Sequence, residues 1–198
     1  MSTTLAKTYL ANYEALLKSK DEKILREIFG KFKMVQFNKV NFEDFENEEY
    51  LHLYLGLNDN KLQAILVKET DVKNGLAFEN GKFVTSQFLE TLTPFSISDK
   101  NPSSNPNRIF QAVYDERVSA WNKINQEWVT KHNAAGTLVK YFKISALNFK
   151  NSGLTNFVFG YKSEMLEGKT TPMIDLIAVT SEVFADLIKP VPPFKPGY

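Results

Sequence analysis

The stretch Tyr50-Leu51-His52-Leu53-Tyr54-Leu55-Gly56-Leu57-Asn58-Asp59-Asn60-Lys61-Leu62-Gln63-Ala64-Ile65-Leu66-Val67 decides the fold class. Leu51, Leu53, Leu55 and Leu57 alternate with Tyr50, His52, Tyr54 and Gly56, and a period of two is the signature of a strand. Asn58-Asp59-Asn60 tolerates left-handed backbone, so the chain turns there and Leu62 to Val67 returns as a second strand. One face of this hairpin is all leucine and must be core. The other carries Tyr50, His52 and Tyr54 and is either partly wet or covered by an amphipathic layer.

Upstream, the spacing predicts helices. Ser2, Thr3 and Thr4 offer a cap, and Leu5, Tyr9, Tyr13 and Leu16 follow on one stripe widened by Leu10 and Leu17. Asp21 caps a second, short helix with Ile24, Leu25, Ile28 and Phe29 on its apolar side and Gly30 placed to end it. Residues 31–49 fit neither period. The run Glu43-Asp44-Phe45-Glu46-Asn47-Glu48-Glu49 reads as a solvated loop, because its spacing does not match a calcium-binding loop.

Downstream, Leu76 to Leu92 reads as a strand pair around the turn Asn80-Gly81. Pro94 to Asn107 reads as a loop and a possible boundary between two parts. Asn105 and Pro106 then open a long helix with Phe110, Val113, Tyr114, Arg117, Trp121, Ile124, Trp128 and His132 on one stripe, ended at Asn133 to Gly136. Strand-like runs follow at Thr137–Phe149, Asn156–Ser163 and Pro172–Thr180. A last short helix capped by Ser181 carries Val183, Phe184, Leu187 and Ile188 and is stopped by Pro190. The four prolines of residues 190–198 force an extended tail holding Phe194 and Tyr198. The expected architecture is a single α+β domain over residues 1–189: a mostly antiparallel sheet packed against a long helix, with N-terminal helices and a Pro-rich tail.

Phe29-Gly30 and the 50–67 hairpin resemble a pattern in small uncharacterised proteins of the Bacteroidota, in which a helical segment with a Phe-Gly pair precedes a hydrophobic-Tyr-x-Gly strand, a polar turn and a Leu-Val-rich strand. The Lys- and Asn-rich composition is similar to that of their genomes. This resemblance implies no activity.

Composition narrows the chemistry. The absence of cysteine excludes a disulfide scaffold, thiolate catalysis and Cys-based metal sites. A net charge of +1 and only three arginines (Arg26, Arg108 and Arg117) among 24 basic residues, spread along the chain and interleaved with acids, argue against nucleic acid. No apolar run is long enough to span a membrane, and the N-terminus lacks a secretory apolar core, so a cytoplasmic setting is expected. His52 and His132 are the only histidines and stand in no ligand spacing, so no metal or other cofactor is expected. No nucleophile elbow, dinucleotide loop or phosphate loop occurs.

Three features stand out against that background. Asp175 shares a strand face with Met173, Ile177 and Val179, where a carboxylate must be paired, hydrogen-bonded or raised in pKa. The sequence favours a backbone or lysine partner at a strand end over a general acid. Trp121 and Trp128 lie on one helical stripe, either as packing or as a platform for a ligand. Pro193-Phe194-Lys195-Pro196 fits either a proline-rich ligand motif or a tail that wraps its own domain. The leading expectation is a non-enzymatic interaction or structural protein that self-associates, with His52, Tyr54, Trp121, Trp128, Asp175, Phe194 and Tyr198 as candidate contacts. The alternative is a small-molecule binding module whose pocket lies between the long helix and the sheet. A hydrolase using Asp175 or His52 ranks third, since it requires a second titratable group in reach.

Overall fold

The computed structural model describes residues 2–38, 45, 47–73, 78, 83–92, 95, 108–146, 154–166, 169–180, 184–186 and 188–191. Helix α1 (Thr3–Ser19) starts where the Ser2 hydroxyl accepts from the Leu5 N–H, and α2 (Glu22–Lys31) where Asp21 accepts from Ile24 at 3.1 Å. Gly30 does not end α2 as expected. The helix continues to Lys31 and Phe32 caps it.

The strands follow as β1 (Met34–Asn38), β2 (Tyr50–Asn58), β3 (Lys61–Lys68), β4 (Phe83–Leu89) and β5 (Arg108–Ile109). A one-turn helix α3 (Glu69–Lys73) sits between β3 and β4. After the long helix α4 (Gln111–Ala135) come β6 (Tyr141–Ser145), β7 (Leu154–Leu166), β8 (Lys169–Val179), β9 (Phe184–Ala185) and β10 (Ile188–Val191). The ten strands form one antiparallel sheet in the order β10-β6-β2-β3-β4-β1-β7-β8-β9-β5. The sheet curls until β10 also comes against β8. Strands from both sides of residues 94–107 pair directly, β1 with β7 and β2 with β6.

The α+β class, the antiparallel sheet and the long helix against it stand as the spacing predicts. The hairpin turns on Asp59 and Asn60, both left-handed at φ 46° and 60°, the pair of positive angles that a two-residue turn needs to match the strand twist. Other local expectations fail. Residues 31–49 contain β1, whose Met34 and Val35 are both fully buried. Met34 is buried on the face where Gln36 is exposed, so burial in β1 does not alternate cleanly and no period is visible. Helix α4 begins at Gln111 rather than at Pro106; Phe110 takes the cap position without a cap bond from its side chain. Asn105, Pro106, the Asn80-Gly81 turn and Ser181 lie outside the described residues.

The expected last helix is also replaced. Phe184 pairs with Val179 and Ile109 in β9, and Ile188–Val191 pair with β6. Its apolar spacing suits a helix, but backbone pairing with neighbouring strands satisfies more groups than a one-turn helix could. Pro190 therefore sits inside β10, opposite Phe142, rather than opening the tail. A proline is tolerated there because β10 ends the strand order.

Three apolar clusters hold these layers. The largest joins Leu51, Leu53, Leu55 and Leu57 to Trp121 and Trp128 of α4 and to Leu25, Ile28 and Phe29 of α2. A second packs Tyr114 and Val118 of α4 on Val158, Ile177, Val179 and Phe184. A third sets Ala6 and Tyr9 of α1 on Ile65 and Val67, the face of the hairpin opposite the leucines. Helices thus cover both faces of the sheet. Gly56 makes this possible: a Cβ there would lie 3.0 Å from the Tyr9 Cβ, so any side chain would push α1 off the sheet.

Candidate functional site

The Asp175 side chain is fully buried in the middle of β8, not at a strand end. Its register partner is Gly160, where a Cβ would stand 3.3 Å from the Arg117 Cβ. That open position lets α4 approach and deliver a guanidinium. Arg117 Nη1 donates to Asp175 Oδ2 at 2.8 Å and to Asp186 Oδ2 at 2.7 Å. Lys162 Nζ donates to Asp186 Oδ1 at 2.5 Å and stands 3.5 Å from Asp175 Oδ1, which also accepts from the Leu176 N–H at 3.0 Å. Two acids and two bases cancel in charge.

Burial still pushes the Asp175 carboxyl up from its ordinary range, against the pull of Lys162 and Arg117. Burial also opposes the charge of Asp186, but hydrogen bonds from Lys162 and Arg117 hold that carboxyl below its usual range. A carboxylate sealed in this way ties α4, β7, β8 and the end of β9 together. Lysine pairing at Asp175 was legible. Arg117 and Asp186 were not, because they lie 58 residues before Asp175 and 69 residues after Arg117 respectively.

His52 lies on the far face of β2. Both of its ring nitrogens are buried without a hydrogen-bond partner. The imidazole stacks on Tyr141 at 4.8 Å, and Tyr54 packs on the same Tyr141 ring at 4.9 Å. Glu69 Oε1 stands 3.8 Å from His52 Nε2, too far for a good hydrogen bond. It is already engaged by Lys143 Nζ at 2.7 Å, while Lys73 stands 3.4 Å from the other oxygen.

Burial pushes the His52 pKa down and outweighs the attraction of Glu69. A folded pKa below the unfolded value leaves stability untouched above about pH 6.5 and reduces it as pH falls from there toward the folded value. We therefore expect His52→Phe to be neutral or stabilising by up to about 1 kcal/mol at pH 7.5, since it removes two partnerless nitrogens. It should also flatten the stability curve between pH 7 and 5. Urea midpoints across that range would check it; a pH slope equal to that of the wild type would mean that His52 is not the titrating group.

The remaining candidates do not converge on one pocket. Trp121 and Trp128 are buried side by side, 5.5 Å apart, with Phe29 and Phe159 against them. Their space is filled by protein. Tyr54 belongs to the opposite face of the sheet, and Asp175 to the Arg117 cluster. His132 stacks on Trp128 at 4.4 Å, and its Nδ1 is 2.8 Å from the Thr137 hydroxyl. Burial and Lys131 push its pKa down, which disfavours the charged form. Phe194 and Tyr198 lie outside the described residues.

A different surface emerges on the N-terminal half of α4. Phe110, expected to lead the core stripe, is 61% exposed, the most exposed of the large apolar side chains described. Arg108 covers its ring at 5.6 Å. Further along the same helix runs an open groove of about 480 Å³ with Leu92, Phe95, Tyr114 and Val118 in its lining and Asp115, Ser119 and Lys123 among its polar members. Gln111 ties the two, donating to the Phe95 carbonyl and to Asp115. The Tyr114 hydroxyl is buried without a partner. No sequence signal separates Phe110 from the buried members of its stripe.

No family model, curated protein or solved structure matches the chain. Among the described residues, no helix is long and apolar enough to cross a membrane.

Proposed function

We propose that this chain is a non-enzymatic interaction or structural protein that self-associates through the N-terminal half of α4, in the cytoplasm. One observation carries the reading: Phe110, 61% exposed, stands one turn before Tyr114, which lines an apolar groove, on a chain whose other aromatic stripe is buried. Burying a phenylalanine is worth about 1.5–3 kcal/mol, so a ring held in water beside an apolar groove favours a partner. A non-enzymatic role fits how the ionisable groups are used. Asp175 is held by two cations and His52 is sealed among aromatics. Evenly spread lysines favour neither nucleic acid nor a membrane surface as partner.

Sedimentation velocity tests it. The full chain is expected to run above monomer mass, and Phe110→Asp to shift it toward monomer. A monomeric full chain would sink self-association; an unmoved Phe110→Asp would sink the α4 route. A chain ending at Val191, which keeps β10, provides the arm for the tail. Loss of association there would assign the contact to Phe194 and Tyr198. Small-molecule binding is the second reading, favoured by a cavity of about 240 Å³ lined by Leu17, Lys18, Leu138 and Lys140 between α1 and the end of α4.

A further inference from the structure

Granting that self-association uses α4, we infer that two copies cross the N-terminal halves of their α4 helices antiparallel about a two-fold axis at Ser119, each Asp115 facing the other copy's Lys123. The groove is marked at its two ends by opposite charges. Asp115 and Lys123 stand four residues before and after Ser119, each about 6 Å along the helix axis from it. Both are exposed, and their separation of about 12 Å is beyond the reach of an ion pair within one helix. Asp115 accepts only from Gln111 among the described residues, and Lys123 makes no hydrogen bond or ion pair there.

A surface with one acid and one base placed evenly about its centre is complementary to itself under a two-fold rotation. Parallel packing would set like against like. Antiparallel packing sets Asp115 against Lys123 twice, because an isologous contact repeats every pair. Ser119 at the centre is exposed and small, so it permits the interaxial distance of about 8–10 Å that packed helices adopt. Tyr114 and Val118 supply the apolar floor between the charges.

Charge reversal decides the geometry. Sedimentation of the full chain compares the wild type, Asp115→Lys, Lys123→Asp, the double reversal, and an equimolar mixture of the two single variants. Each single variant opposes like charges at both ends and should weaken dimerisation about tenfold or more. The double reversal should restore it. The mixture should form a heterodimer, since one copy then carries two lysines and the other two aspartates; misfolded single variants could not produce that recovery. A monomeric wild type would overturn both this packing and the self-association it builds on. A dimeric wild type with unmoved single variants, or with no recovery in the double reversal and mixture, would overturn the packing alone.

Discussion

Arg117→Met should destabilise the chain by about 3–5 kcal/mol at pH 7, the cost of leaving a buried carboxylate without its cation. The guanidinium is largely enclosed, with 18% of its side chain exposed, and Asp175 has no exposure at all. Solvent therefore cannot replace the lost bonds at 2.8 and 2.7 Å. Lys162 remains, but it stands 3.5 Å from Asp175 and already serves Asp186.

The pH dependence follows from the direction of the Asp175 shift. Burial raises its folded pKa above the unfolded value near 3.9. Between those values the folded state holds the extra proton, so stability gained by protonating Asp175 grows as pH falls. Without Arg117 that window widens, and the deficit of the variant should narrow as pH falls from 7. Urea unfolding at several pH values measures this, and a double-mutant cycle with Asp175→Asn isolates the pair. A loss below about 1 kcal/mol would place the cluster in solvent rather than in the core.

Trp121→Ala should cost a similar amount, about 3–5 kcal/mol, from lost burial and an unfilled cavity. Trp121 is 1% exposed and meets Phe29, Trp128 and Phe159 at ring distances of 6.4, 5.5 and 5.8 Å. For a chain of this length each kcal/mol lowers the melting temperature by about 2–4 °C, so a drop of at least about 6 °C is expected by calorimetry. Phe29→Ala touches the same space, and the two losses should not add. A Trp121→Ala variant with near-native stability would mean that the tryptophan lines a site that water or a ligand already fills.

The two tryptophans show how far a stripe can be read. Their seven-residue spacing places them together on α4, and that much is local geometry. Whether the stripe meets a ligand or a sheet depends on α2 and β7, which supply Phe29 and Phe159. Phe110 belongs to the same periodic series but stands one turn too early, where β5 holds it at the end of the strand order. Its exposure is a property of the sheet edge. His52 is similar: alternation puts it opposite the leucines, while Tyr141 and Glu69, from β6 and α3, decide that it is enclosed without a hydrogen bond.

By itself the amino-acid sequence determined the hairpin with its left-handed Asp59 and Asn60, the caps at Ser2 and Asp21, and the helix that closes at Gly136. Each of these depends on interactions between residues a few positions apart, so the residues that cause it lie in view together. The tertiary structure alone decided that Phe184 and Ile188 pair as strands, that Asp175 is held by Arg117, and that Phe110 faces water. Those outcomes depend on which distant segments share an edge or a cluster, and neither periodicity nor propensity records a partner 58 residues away.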